Sequence, residues 1–227
     1  MNAQHRLCEM PRPCTITTGI VRAGLAGIGL ALVLGFALPI PVPASAETVR
    51  AGYADSAIGT LVIVRIDGVQ ERLQGTGQIP LYEGDVLRTD AGSQAVVKFK
   101  EGVKVALNED TSLKILSRWV KDQPLTRIIR MSRGEVWVTT LGEGPFQFEV
   151  ETPVATAAIE GTEFDLKVQE DGQSILTVVS GIVKFGTAFG TCPIKPGTIS
   201  YGVRGKKCTK PVPTDVMKSL EWTKAVK

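Results

Sequence analysis

Residues 148–168 read FEVETPVATAAIEGTEFDLKV, which is two extended segments joined by a Thr-Pro turn, a small apolar run and a Gly-Thr corner. In the second segment apolar residues alternate with charged ones, Phe164, Leu166 and Val168 against Glu163, Asp165 and Lys167. A period of two is typical of a strand with one buried face, so the three charged residues are expected to face solvent. We interpret the stretch as architectural, since it offers no nucleophile, general base or metal ligand.

Four shorter motifs accompany this stretch along the chain: GDVLRT at 84–89, QAVVKFKEGVKVAL at 94–107, GEVWV at 134–138 and GIVKF at 181–185. Taken in order with it, they resemble the core signature of the FecR-like domain family over residues 57–186, with Glu101-Gly102 where the family has Asp-Gly. The resemblance implies an all-β domain with structural motif positions at Gly84, Asp85, Thr89, Gly134, Thr152, Pro153, Gly161, Thr162, Phe164 and Gly181.

The resemblance also carries an expectation about function. Members of the family often combine a cytoplasmic anti-sigma segment, one membrane span and a periplasmic domain, and they relay the occupancy of an outer-membrane receptor to a sigma factor. Only 22 residues precede the apolar run of this chain, too few for a folded anti-sigma domain. We therefore expect the extracytoplasmic domain alone, acting as a module that contacts protein or glycan.

Residues 1–46 are predicted to be a signal peptide. Arg6, Arg12 and Arg22 form a basic region before the apolar run 23–38, and a small-x-small site at 44–46 predicts cleavage between Ala46 and Glu47. The apolar run is shorter than the roughly 20 residues that span a bilayer. The mature chain is thus expected in the periplasm or secreted, with an uncleaved membrane anchor as the alternative.

Two cysteines, Cys192 and Cys208, remain once this segment is removed, and Cys8 and Cys14 leave with it. In an oxidising compartment we predict that the pair forms a disulfide, which would staple a basic appendix at 187–213. A zinc site is the alternative, but zinc takes about four ligands and the only histidine, His5, lies in the segment that is lost. No metal or cofactor is expected.

The rest of the chain predicts an all-β fold of stacked hairpins, arranged as a sandwich or a short β-solenoid. Residues 47–57 are expected to be a flexible lead-in to a strand at 60–66. At the other end a helix is predicted over 214–227, with one apolar stripe formed by Val216, Leu220, Thr223 and Val226. We expect this helix to pack on the sheet or on a partner, and the position of Trp222 off that stripe is a point in favour of the partner.

The charge of the chain indicates no nucleic-acid partner. The net charge is +3, and it falls to +1 when three arginines and one glutamate of residues 1–46 are removed. Lys98, Lys100 and Lys104 share one face of a predicted hairpin. We favour a solvated face over a surface for anionic ligands, because lysines commonly protect sheets from aggregation.

An enzyme is not expected. Without His5 the chain lacks Ser-His and Cys-His pairs, and no nucleotide or hydrolase motif is present. Two carboxylate pairs, Glu149 with Glu151 and Glu163 with Asp165, are assigned to the solvent faces of strands. The leading hypothesis is an exported, non-enzymatic binding or scaffolding module of the bacterial cell envelope whose partner is an envelope protein or peptidoglycan. A membrane-anchored regulator of a sigma-factor pathway and a carbohydrate-binding domain are the alternatives.

Overall fold

The computed structural model describes residues 49–140, 147–159 and 161–226. The chain separates into two compact units, Met1–Ser45 and Ala46–Lys227, and every described residue belongs to the second. The predicted signal peptide and its cleavage site between Ala46 and Glu47 therefore lie outside the described residues.

All the strands of the described ranges belong to one hydrogen-bonded sheet that closes into a barrel-like sandwich. The all-β prediction is confirmed, and the sandwich is the arrangement adopted. The strands are β1 Arg50–Val64, β2 Gln70–Tyr82, β3 Val86–Thr89, β4 Gln94–Phe99, β5 Val103–Leu107, β6 Ser112–Arg118, β7 Thr126–Thr140, β8 Gln147–Glu151, β9 Ala155–Ile159, β10 Glu163–Val168, β11 Ser174–Ser180, β12 Val183–Thr187, β13 Gly190–Ile194, β14 Thr198–Gly202 and β15 Val212–Pro213.

The sheet folds onto itself because β1 and β7 run through both of its layers. The first half of β1 pairs with β4 and the second half with β3. The second half of β7 pairs with β5 and β10, whereas its first half pairs with β6 and, in parallel, with β8. Layer A consists of β4, β5, β10, β11, β14 and β15 together with the first half of β1 and the second half of β7. Layer B consists of β3, β6, β8, β9, β12 and β13 together with the second half of β1 and the first half of β7.

Both β1 and β7 bend at a glycine where they pass from one layer into the other. In β1 the register to β2 shifts around Gly59, which has a φ of 71°. In β7 the bend lies at Gly134, with a φ of 95°. Side chains are disfavoured at positive φ, so glycine lets each strand bend without ending. The lead-in predicted for 47–57 is wrong in its described part, because residues 50–57 form the first half of β1.

One apolar core fills the space between the layers. Phe164, Leu166 and Val168 are buried in it, which confirms the alternation predicted for β10. Phe99 of layer A meets Phe148 of layer B edge to face, with ring centroids 5.2 Å apart. Residues 148–168 therefore contribute to both layers of the sandwich, through β8 and β9 in layer B and β10 in layer A.

A second, smaller apolar cluster lies on the outer face of layer A, where Leu220 of the C-terminal segment packs on Val96, Ala106 and Trp137. That segment is a short helix, α1 Val216–Ser219, followed by a 3-10 turn over Glu221–Ala225, rather than one continuous helix over 214–227. Trp222 packs against the same cluster, so the C-terminal segment packs on the sheet, one of the two placements expected from its sequence.

The segment expected to be an appendix, 187–213, continues both layers. β13 pairs with β12 of layer B, and β14 pairs with β11 of layer A. Cys192 and Cys208 form the predicted disulfide, with their Cα atoms 6.2 Å apart. It joins β13 to the chain that follows β14. No helix within the described ranges is long and apolar enough to cross a membrane.

Candidate functional site

The first carboxylate pair singled out from the sequence forms an ion-pair network on the outer face of layer B. Arg118 contacts Glu149 at 3.0 Å and Glu151 at 3.3 Å, and Arg130 contacts Glu151 at 2.8 Å. Ile128, the register partner of Glu149 on the neighbouring strand β7, is only 4% exposed. Both carboxylates are thus engaged with arginines, and they line two separate cavities rather than flank one cleft.

The second pair is split between two environments. Glu163 accepts a hydrogen bond from Trp137 Nε1 at 2.9 Å. Asp165 is not on a solvent face, as the strand pattern predicted, but is 3% exposed beneath the C-terminal segment. Trp222 Nε1 donates to Asp165 Oδ1 at 3.2 Å. The prediction failed because the outer face of β10 is covered by residues that come more than 50 positions later.

Asp165 belongs to a polar network that the sequence analysis missed. Burial, followed by the negative charge of Glu135, raises the pKa of Asp165 well above its usual range. Glu135 in turn accepts from Asn108 Nδ2 at 2.8 Å and lies 3.5 Å from Lys167 Nζ. One pattern in the sequence could have indicated that this face is covered. Val96, Ala106 and Trp137 are apolar residues on strand faces that were otherwise assigned to solvent.

A buried ion pair connects the two layers at one end of the sandwich. Arg127 of β7 is 1% exposed, and its Nη2 lies 3.0 Å from Glu101 Oε1 in the β4–β5 turn. Arg127 Nη1 also donates to Ser117 Oγ at 2.6 Å. Glu101 is the residue that replaces the Asp of the family motif, and its pairing with Arg127 gives it a structural role.

The family-motif residues close turns and allow close packing of the chain. Asp85 accepts from the Tyr82 N–H at 2.8 Å and from Arg65, and burial raises its pKa despite that arginine. Thr89 Oγ1 donates to the Asn108 carbonyl at 2.6 Å. Thr152 Oγ1 accepts from the Ala155 N–H at 2.9 Å in the turn that begins at Thr152-Pro153.

The remaining motif positions are also structural, because they are buried or closely packed. Phe164 and Thr162 are buried, at 0% and 2% exposure. A Cβ on Gly181 would lie 2.6 Å from the Gly161 carbonyl oxygen. A Cβ on Gly84 would lie 3.2 Å from Ile66 Cδ1. The motif residues are spread along the sandwich and do not converge on one cavity.

The lysine-bearing face lies on the outer side of layer A, and two of its lysines have internal partners. Lys98 Nζ lies 3.0 Å from Asp55 Oδ2. Lys104 Nζ stands 5.4 Å from the centre of the Trp137 ring, a cation–π distance. These contacts favour the structural interpretation of this face over an anion-binding surface.

A groove of about 1110 Å³ lies at the end of the sandwich where β7 bends. Its walls carry charges of both signs, including Glu109, Asp110, Arg133, Glu170, Asp171 and Arg204. Across the ranges that the structure describes, no group of three or more His, Cys, Asp or Glu side chains is placed to hold a metal ion. The groove therefore offers mixed charge without a metal-binding arrangement.

Strand β2 provides an open edge of the sheet, since β1 is its only neighbour among the described strands. The Arg65 N–H donates to the Val69 carbonyl at 2.8 Å, and antiparallel pairs alternate from there. Glu71 and Leu73 thus direct their backbone groups at β1, whereas Gln70 and Arg72 direct theirs away from it. The other described edges, β13 and β15, each contain a proline.

Fold and site together define an all-β sandwich module in which the carboxylates singled out from sequence serve internal contacts. Residues 85–184 match the family described as FecR protein, and this part of the chain is a FecR domain. The resemblance stated from the motifs is thereby confirmed.

The sandwich is also similar to solved structures. Two crystal structures, at 1.65 Å and 2.50 Å, of a candidate anti-sigma factor from Parabacteroides distasonis ATCC 8503 superpose with a TM-score of 0.52 at 21% identity. The match covers 60% of this chain and 63% of that protein, so this chain spans less than two thirds of its relative's length. At this identity the likeness concerns the fold. No curated protein matches the chain in sequence.

Proposed function

We propose that the chain is an exported, non-enzymatic binding module of the bacterial cell envelope that holds a protein partner at the free edge of β2. The observation that carries the proposal is the outward-facing backbone of Gln70 and Arg72. An exposed edge can accept an extended segment of another protein as an additional strand, with main-chain hydrogen bonds supplying the affinity.

The regular pairing of residues 70–73 with β1 supports a partner that binds as a strand. The hairpin section from Gln70 to Leu73 pairs regularly with β1, so its outward groups are evenly spaced. Further along, the register shifts between Ala57 and Leu61 interrupt the edge, and Pro80 removes a donor. A partner strand is therefore expected to extend layer B beside residues 70–73.

A substitution at Arg72 tests this proposal. Arg72→Pro removes an outward N–H without touching the ladder to β1, and we expect it to weaken partner binding at least about tenfold. Arg72→Ala is the matched control, because it removes the side chain and keeps the N–H. The measurement is the yield of protein adducts in growing cells from a photo-crosslinking residue placed at Gln70 in each background.

Two controls decide the outcome. A photo-crosslinker at Thr191, on the proline-containing edge β13, is expected to give no matching adduct. Thermal unfolding shows whether Arg72→Pro is folded. Equal adduct yields from Arg72→Pro and Arg72→Ala, or an intrinsic hydrolytic activity that one carboxylate substitution abolishes, would contradict the proposal.

A membrane-anchored regulator is the second candidate, favoured by the likeness to the Parabacteroides protein described as an anti-sigma factor. It requires that the apolar run 23–38 is retained. Mass spectrometry of the N-terminus in cells separates the two candidates. A mature N-terminus at Glu47 supports the exported module, whereas an intact N-terminus supports the regulator. A carbohydrate-binding role has less support, because the exposed aromatic side chains Trp119 and Phe189 lie at opposite ends of the sandwich.

A further inference from the structure

The end of the sandwich at which β1 begins carries most of the large apolar side chains that the described surface exposes. Six of the ten such residues lie there: Val49, Ile66, Val69, Trp119, Val120 and Ile182. Trp119 is 69% exposed and Ile66 73%. We call this the N-terminal end of the sandwich, and the end that bears the Gly134 bend the opposite end.

A continuous series of contacts shows that these residues share one end. Ile66 and Val69 line a cavity of about 430 Å³ together with Tyr82 and Glu83. The Glu83 N–H donates to the Val49 carbonyl at 3.1 Å. These contacts place the β1–β2 turn beside the residue at which the described chain begins.

The loop between β6 and β7 also lies at the N-terminal end of the sandwich. The Lys100 N–H donates to the Ala51 carbonyl at 3.0 Å, and the neighbouring Glu101 pairs with Arg127. Thr126, next to Arg127, pairs with Arg118, and Trp119 and Val120 follow directly. The exposed tryptophan therefore lies at the end from which the chain leaves toward residue 48.

Ile182 completes the set on the far side of layer B. Thr126 Oγ1 donates to Gln147 Oε1 at 2.7 Å. Gln147 and Ile182 line a common cavity of about 210 Å³. The apolar side chains thus project from three separate loops and from the chain start.

We propose that the N-terminal end of the sandwich docks on a lipid surface, with Trp119, Val120 and Ile66 inserting at the level of the headgroups. A planar membrane accommodates separate protruding side chains, whereas a protein partner favours a contiguous, fully desolvated centre. Tryptophan is also enriched at membrane–water interfaces. The chain leaves this end toward the apolar run 23–38, only ten residues before Val49.

Exposed cations at the N-terminal end are available to anionic headgroups, namely Arg50, Lys100 and Lys121. The opposite end carries exposed charges of both signs, with Glu109, Asp110, Glu170 and Asp171 beside Arg133, Lys167, Arg204 and Lys206. The proposal holds whether residues 1–46 are removed or retained.

Tryptophan fluorescence tests the proposal in the full chain as it is isolated from the envelope. The chain has three tryptophans, and Trp119 is the exposed one among them, so the difference between wild type and Trp119→Phe isolates its emission. The protein is combined with phosphatidylethanolamine–phosphatidylglycerol vesicles whose acyl chains carry bromine, a short-range quencher. We expect a loss of most of the Trp119 emission.

The matched control places the reporter at the opposite end. Phe189 is 61% exposed and lies beside Pro153 and Arg204, so Phe189→Trp in the Trp119→Phe background is expected to remain unquenched. An unquenched Trp119, or equal quenching at both ends, overturns the proposal. A photo-crosslinker at Val120 in growing cells is expected to give lipid adducts, and protein adducts in their place also overturn it.

Discussion

The bend in β7 depends on a single residue, Gly134. Its φ is 95°, and a Cβ there would lie 2.4 Å from Thr111 Cα and 2.3 Å from Thr111 Oγ1. Gly134→Ala therefore combines backbone strain with a collision against backbone, and we expect it to lower the free energy of unfolding by about 3 kcal/mol or more. Urea unfolding followed by circular dichroism measures the loss.

A second glycine separates strain from collision. Gly197 has a φ of 75°, but a Cβ there would meet nothing within 4 Å. Gly197→Ala is expected to cost only about 1–2 kcal/mol, the strain component alone. Equal losses for the two variants would show that the close approach to Thr111 does not matter.

Individual residues were predictable from sequence where the cause is local. The inward positions of β10 follow from its alternation, and the turn at Thr152-Pro153 follows from side-chain chemistry that acts over three residues. Asp165 was not predictable, because its burial depends on Trp222 and Leu220, which approach from the far end of the chain. The same limit applies to the pairing of Glu101 with Arg127 across the two layers.

At the scale of elements, the contact between the C-terminal segment and layer A is expected to respond to pH through Asp165. The raised pKa means that, above the ordinary aspartate value of about 3.9, the folded chain holds a proton that the unfolded chain has lost. Stability therefore falls as pH rises toward the raised pKa. Asp165→Asn keeps an acceptor for Trp222 Nε1 and is expected to be more stable than wild type at neutral pH, by about 1 kcal/mol or more.

The measurement is the free energy of unfolding across a series of pH values between about 4 and 8, the range set by the ordinary aspartate pKa and neutrality. Asp165→Asn should flatten the decline that wild type shows. Asp90→Asn, at an exposed aspartate, is the control and should retain the wild-type slope. An unchanged slope in Asp165→Asn would mean that another group carries the proton.

Element boundaries were harder to predict than element types. Residues 128–131 and 135–140 look like two separate strands in the sequence, and the structure joins them in β7. The alternation of the pattern breaks at Gly134 because the strand passes from one layer to the other, and a break in alternation is also what a strand end looks like. The first half of β1 was missed for a related reason, since its core residues Ala51, Ala54 and Ala57 are small.

At the scale of the whole molecule, the two sides of the sandwich are closed in different ways. On one side β1 and its neighbour β2 pass continuously from layer A to layer B. On the other side the Cys192–Cys208 disulfide connects β13 of layer B with the chain after β14 of layer A. The pairing of the two cysteines was predictable from their number and setting. Their position between the layers was not, because it depends on how β13 and β14 are placed at the two sheet edges.

The disulfide is therefore expected to stabilise the closed sandwich as well as the loop that it encloses. Sixteen positions separate the two cysteines, and closing a loop of this length contributes about 3 kcal/mol. The double variant Cys192→Ser with Cys208→Ser should lower the free energy of unfolding by about that amount. A reducing agent should lower the stability of wild type to the same level and leave the double variant unchanged. If wild type keeps its full stability when free thiols are shown to be present, the noncovalent contacts of β13 and β14 close that side of the sandwich without the bond.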